Sequence, residues 1–471
     1  VALPTDNADL TAAVTGDPTP QTPAALSWTL KSTTANVAPN TAAVTFSNAA
    51  AAATNARFVA GPGTYVLTAT ATDDSALTGA ADVTITVASN PNVYPDPSTA
   101  TTSGFEALIG VPDANGLVEG VDVNMVKLGE AFSKQQAAAT ALAAPYPNAT
   151  TPTANNEAGI VLRHGKVVYS WGDPNLKFDV QSATKSIGGL SVFLGLDENK
   201  IALSDKVASR FPAFAQDPLV ATNGFADPAG SATVLQLATH TSGLSKSDSP
   251  NQTRQFLSQP GSTWLYSDQA LNWLGDTMTS AYAQDLNDLL FNRVFNTLGI
   301  RPTADLRWRT NANRTPVLPG TTSTVRRELA SGIQANAFAM ARIGLLMLRQ
   351  GVWKDQPIVS NASVKTAQTP PPEVAPLAMA DPANFPGATT TYGVLFWTNA
   401  IQQSSTIIPA DTFWAWGQFE NFIFVIPSLD MVVVRIGTYG WRPDKPPTFW
   451  NADYTVFNGF LEPIVQAVKA P

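Results

Sequence analysis

The sequence predicts a mixed α/β chain of the α+β type: an antiparallel sheet flanked by helices, with a helical insertion, and a β-sandwich in front. Three observations predict it. The first ninety or so residues alternate with period two and contain no convincing helical run. Apolar strand-like runs stand at both ends of the remaining chain, near 159–171 and 392–436. Between them apolar residues recur at helical spacing, as at Met340, Ile343 and Leu346.

At 471 residues the chain is too long for one ordinary core, so two or more domains are expected. Hydrophobic residues make up 44 % and charged residues 14 %, which suits a globular protein with a large interior. A net charge of −8 argues against nucleic acid or an anionic membrane as the main partner. No apolar run reaches the roughly 18 residues expected of a membrane span. The first residue is Val1 rather than Met, which fits a removed leader or a trimmed chain.

The chain has no cysteine, which excludes disulfides, thiolate metal sites and cysteine nucleophiles together. Its two histidines, His164 and His240, do not form the HExxH zinc pattern. No cofactor or metal is implied.

In the N-terminal part, Tyr65, Leu67, Ala69 and Ala71 alternate with smaller or polar residues, as do Val83, Ile85 and Val87. Gly61-Pro62-Gly63 and Asp73-Asp74 break these runs into half-buried antiparallel strands. The stretch from Gly63 to Val87 resembles bacterial immunoglobulin-like or PKD-like β-sandwich modules, which serve mostly as spacers or packing partners. The Pro/Ser/Thr-rich segment Ala88 to Gly104 reads as a linker. The expected domains are therefore residues 1–90 and 105–471, with 91–104 between them.

Beyond the linker, Val123 to Ala144 reads as a helix. Gly159–Arg163 and Lys166–Trp171 read as a hairpin turning at His164-Gly165. A helix follows from Ser182, with Gly195 a plausible stop. Strands are expected at Tyr392–Trp397, Phe422–Ile426 and Met431–Ile436, then a helix around Val456–Val468.

Chemistry concentrates at Ser182-Ala183-Thr184-Lys185, the one place where a serine stands three residues before a lysine. That spacing puts both side chains on one face of a helix. Burial and the positive end of the helix dipole disfavour an ammonium there, so a neutral Lys185 could take the Ser182 proton and make it a nucleophile. Tyr266, in Leu265-Tyr266-Ser267-Asp268, precedes the helical run Ala270–Met278, and Ser267 or Asp268 is a good N-cap. A tyrosine facing that lysine can share its proton and hand one to a leaving group.

Between them lies Leu237-Ala238-Thr239-His240-Thr241-Ser242-Gly243-Leu244. With this phrase the chain resembles the serine β-lactamase and penicillin-binding-protein superfamily, in its class C β-lactamase and family VIII carboxylesterase branch. In that family HTSGL lies between the S-x-x-K and Tyr-x-Asn motifs, and the order of the corresponding positions here is the same, with Ser182 and Tyr266 eighty-odd residues apart. The resemblance implies that Ser182 is the nucleophile, Lys185 the proton acceptor and Tyr266 the second acid or base. It makes His240 a structural residue of its loop. The family's third element, a strand carrying K-T-G, H-x-G or W-x-G, has its candidate at Ala415-Trp416-Gly417-Gln418, ahead of the hairpin Pro427-Ser428-Leu429-Asp430. The backbone N–H groups of Ser182 and Gln418 are then the expected oxyanion hole.

Two departures shape the functional expectation. Asp268 stands where the family usually has asparagine, and an ionised carboxylate only accepts hydrogen bonds. The third motif carries no lysine or histidine to attract a β-lactam carboxylate. Both favour a carboxylesterase on a small-molecule ester, short-chain or aryl, over an amidase such as a β-lactamase or a 6-aminohexanoate-oligomer hydrolase. A non-catalytic surface protein is the reading from another class. Asp268, Trp264, Trp414, Trp416 and Gly417 are the expected substrate contacts, the tryptophans forming an aromatic pocket. The β-sandwich and the missing cysteines point to a secreted or periplasmic protein.

Overall fold

The computed structural model describes residues 7–13, 25–35, 37, 42–73, 76–88, 92, 94–95, 105, 157–216, 220–221, 223–246, 254–311, 317–321, 323–402, 405–437, 454 and 460–468. The helix expected at Val123–Ala144 and nearly all of the expected linker lie outside them. The chain divides into two compact units, residues 1–93 with 349–362, and residues 94–348 with 363–471.

The first unit is a strand-rich sandwich. Strands β1 (Asn7–Thr11), β3 (Val44–Phe46) and β4 (Ala53–Phe58) form one antiparallel sheet in the order β1-β4-β3. Strands β2 (Ala25–Thr33), β5 (Gly63–Thr72) and β6 (Thr78–Val87) form the other, in the order β2-β5-β6. The alternation seen in sequence is the pleat: Tyr65, Leu67 and Ala69 are buried and meet Leu10, Trp28, Val44 and Phe58 in a single core. Residues 349–362 join this unit from far along the sequence. Their short hairpin pairs Val352–Trp353 with Gln356–Pro357, and Val352 enters the same core. Gly61, at φ +81°, is needed there, because a Cβ would stand 2.0 Å from the Asp355 carbonyl oxygen.

The second unit is built on a six-stranded antiparallel sheet. Its strands are β7 (Glu157–Arg163), β8 (Lys166–Gly172), β9 (Trp397–Thr398), β10 (Phe413–Gly417), β11 (Asn421–Ile426) and β12 (Met431–Gly437), in the order β9-β10-β11-β12-β7-β8. Both ends of the unit's sequence thus meet in the middle of the sheet, where Val433 pairs with Val161. Strands β11 and β12 are buried on both faces, which explains their unbroken apolar runs. Helices cover one face of the sheet through Ala337–Leu348 and the other through Leu461–Gln466. Close approach of the first depends on Gly344, whose Cβ would come within 2.7 Å of both Val432 and Ile423.

Two sequence expectations need correction here. Gly195 does not stop the helix. After α1 (Ala183–Gly188), α2 (Leu190–Asp197) continues through Gly195, whose missing side chain makes room for Met278 and Ile201. The run Tyr392–Trp397 is not a strand, since Tyr392 ends a short helix and Leu395 has φ +65°, outside the extended region. Of it there remain Trp397, which opens β9, and a single bridge from Tyr392 to Trp397.

Gly344→Leu forces side-chain volume between helix and sheet and should cost about 2 kcal/mol. A lowered denaturant midpoint with an unchanged m-value would show it; an unshifted midpoint would mean that the helix is not held at contact distance.

Candidate active site

Three chain segments of the second unit build the site. The first is the start of α1. Gln181 is held at φ +52°, a conformation costly for a side chain, and it turns the chain so that Ser182 opens the helix. Thr184 Oγ1 accepts the N–H of Ile333 at 3.0 Å and ties this turn to the core. Lys185 lies one turn on and is buried, with 2 % of its side chain exposed.

The second segment joins the loop around His240 to the start of α3 (Asp268–Tyr282). Leu265 N–H donates to the His240 carbonyl, and Asp268 N–H donates to that of Lys246. Ser267 Oγ donates to the Ser245 carbonyl and accepts the Ala270 N–H, so Ser267 is the N-cap. His240 Nδ1 accepts the Ser267 N–H at 3.1 Å, which leaves the proton of the neutral ring on Nε2. Burial, helped by the Lys185 charge, holds the His240 pKa well below the usual histidine range. His240 is thus a neutral structural residue, as its loop context implied.

On this frame Lys185 Nζ makes three hydrogen bonds: to Ser182 Oγ at 3.0 Å, Asp268 Oδ1 at 2.7 Å and the Ala330 carbonyl at 2.8 Å. Three acceptors are the complement of an ammonium. The charge is compensated, because the Asp268 carboxylate lies against it.

Tyr266 hydrogen-bonds the Ser182 side chain. Its ring is clamped between His240, stacked at 4.3 Å, and Phe385, stacked at 5.0 Å. Lys185 Nζ and Lys246 Nζ each lie 4.9 Å from its centre. Burial first, then the Asp268 charge, push the Tyr266 pKa above the ordinary phenol range, so it keeps its proton at neutral pH.

The third segment is the end of β10. A Cβ on Gly417 would stand 2.0 Å from the Val180 carbonyl oxygen and 3.1 Å from Ala183 N, so the strand end lies directly beside the turn carrying Ser182. Asn421 Nδ2 donates to the Gln418 carbonyl and fixes the turn that follows.

The structure therefore brings together Ser182, Lys185, Tyr266, Asp268 and Gly417-Gln418. Trp264, Trp414 and Trp416 are buried in an aromatic core with Tyr392, Trp397, Phe422 and Tyr454, and they support the site from behind. Asp268 Oδ1 meets Lys185 and its Oδ2 meets Lys246 at 3.3 Å, so within the site it is a charge partner of two lysines. Burial alone would raise its pKa, but the two ammonium groups outweigh that and bring it to about 2. Lys246, Ala330 and Phe385 carry no motif signal and were not anticipated.

Residues 158–439, more than half of the chain, match the sequence profile of the Beta-lactamase family. The chain belongs to that family. Its members are generally serine hydrolases. The fold is similar to that of a β-lactamase candidate from Bacteroides dorei DSM 17855, at 15 % identity and a TM-score of 0.53, over 73 % of this chain and 99 % of that one. It is also similar to a variant of simvastatin synthase from Aspergillus terreus, at 13 % identity and a TM-score of 0.51, over 72 % and 98 %. At such identities these structures speak for the fold alone. No match was found among curated proteins.

His240 gives a pH test. The folded protein holds the ring neutral, whereas the unfolded chain protonates it near pH 6.5. Stability should therefore fall as pH drops below 6.5, by up to about 1.4 kcal/mol per pH unit from this group. His240→Gln, whose side-chain oxygen can still accept the Ser267 N–H, should show a shallower fall between pH 6.5 and 4.5 in chemical denaturation. Parallel curves would place the proton uptake elsewhere.

Proposed function

We propose that this member of the family is a serine hydrolase acting through an acyl-enzyme, with small carboxylic esters as its substrates. The observation that carries the reading is the position of Ser182 Oγ, which accepts a hydrogen bond from Lys185 Nζ and shares one with the Tyr266 hydroxyl. In acylation, Ser182 Oγ bonds to the ester carbonyl carbon while its proton passes to Lys185 in the deprotonated form of that residue. The carbonyl electron pair moves onto oxygen, facing the backbone N–H groups of Ser182 and Gln418. Collapse of this intermediate breaks the C–O bond to the alcohol. Tyr266, which holds its proton tightly, gives it to the departing alkoxide and is reprotonated by Lys185. Water then repeats the sequence in reverse on the acyl-enzyme.

The preference for esters rests on what the site lacks. Both Asp268 oxygens are engaged by ammonium groups, so no side-chain amide donor is offered at that position to a substrate amide carbonyl. The strand motif Trp416-Gly417 carries no cation. An amide is also the harder bond, because its amine leaves only when protonated.

Turnover of p-nitrophenyl butyrate with little or none of a chromogenic cephalosporin is the expected result, and the opposite pattern would overturn the ester assignment. A fluorophosphonate probe should label the wild type and not Ser182→Ala. Lys185→Ala should slow acylation by at least about a hundredfold, the scale of losing a general base. Near-wild-type turnover in that variant would remove Lys185 from the mechanism.

A further inference from the structure

Asp268 creates a difficulty for any mechanism in which Lys185 accepts a proton. A carboxylate 2.7 Å from Nζ favours the ammonium form, which has no lone pair to offer. The second Asp268 oxygen, however, is held by Lys246 Nζ at 3.3 Å. Lys246 is not placed there by its side chain alone. Its backbone carbonyl accepts the Asp268 N–H at 2.9 Å, and the adjacent Ser245 carbonyl accepts from Ser267 Oγ. The loop that carries Lys246 is thus fastened to the helix start that carries Asp268. Lys246 Nζ also lies as far from the Tyr266 ring centre as Lys185 Nζ does, 4.9 Å.

We propose that Lys246 is a positioning residue for acylation: by occupying Asp268 Oδ2 it offsets the carboxylate that would otherwise keep Lys185 protonated. This rests on the reading of Lys185 as the base of Ser182. Lys246 acts in two ways with the same sign. Its cation weakens the field of Asp268 at Lys185, and it disfavours a second positive charge nearby. The other groups around Lys185 leave this balance to the Asp268–Lys246 pair. Ser182 and Ala330 contribute a hydroxyl and a carbonyl, and Tyr266 and His240 are both held neutral. Glu328, in the same turn as Ala330, is already paired with Arg309 at 2.8 Å. Lys185 is buried while 53 % of the Lys246 side chain is exposed, so dissolved salt reaches the second lysine and not the first.

The test is the pH dependence of fluorophosphonate labelling rate, which reads acylation alone. Lys246→Met should move the acid limb up by about one pH unit, since Lys185 then holds its proton longer. Asp268→Asn should move it down by a similar amount, and the double variant should return close to the wild type. Lys246→Arg should keep the wild-type limb. Raising salt should move the wild-type limb toward that of Lys246→Met. A Lys246→Met limb that coincides with the wild type, or moves down, would overturn the proposal; a fall in the plateau with no shift would mean a structural role only. If Asp268→Asn does not fold, the Met and Arg variants at position 246 still decide the sign. Labelling that persists in Ser182→Ala would instead strike the nucleophile assignment and would leave the two failures distinguishable.

Discussion

The structure of this site depends on one buried charge. Lys185 Nζ is almost inaccessible to water, and an ammonium in such a place is tolerable only if its three N–H groups are all accepted and its charge is met by an anion. The acceptors come from three separated parts of the chain: Ser182 on the same helix, Asp268 at the start of another, and the Ala330 carbonyl from the turn before Ile333. Satisfying the lysine therefore assembles the site. Ser182 cannot drift from the base without leaving a donor unpaired, and Asp268 cannot withdraw without leaving a charge uncompensated in the interior.

The same economy explains the loop at His240. Its sequence is small and polar, yet it is buried, so most of its polar groups find a partner inside the protein, His240 Nε2 being left without one among the described residues. The partners are the otherwise orphaned groups at the start of α3: the Ser267 N–H, the Asp268 N–H and the Ser267 hydroxyl. The loop is thus a cap for the helix, and the helix start is the shelf for Tyr266 and Asp268. Gly243, at φ +79° and against the Ser258 carbonyl, permits the turn that brings Lys246 back to the site.

How much of this was legible in the sequence follows from the range of each signal. Ser182 and Lys185 are one helical turn apart, so a local rule suffices to put them together, and the hairpin at His164-Gly165 is equally local, with both residues at positive φ. Tyr266 and Asp268 could be read locally as the start of a helix, but they and Gly417 were joined to Ser182 as one site through resemblance, since no local rule joins residues more than eighty positions apart. What spacing could not show was chemistry decided by neighbours: the two lysine partners of Asp268, and the carboxylate set against Lys185. The hairpin of residues 349–362 gave no sign of belonging to the first unit, because a short apolar turn does not specify which core it enters.

The tryptophans are buried for a reason that the strand itself supplies. On β10, residues 414 and 416 share one face of the sheet and residue 417 points to the other. Trp414 packs on Phe424 and Tyr454, and Trp416 on Phe422 and Trp397, in the core shared with the C-terminal helix. Gly417 faces the Ser182 turn, where even a methyl group would collide with the Val180 carbonyl. The alternation therefore separates two tasks. Large residues anchor the strand from one side, and the absence of a side chain on the other lets its backbone reach the nucleophile. A shift of the motif by two residues would keep the tryptophans on the same face. Only the glycine fixes the register, because the space beside Ser182 admits no Cβ.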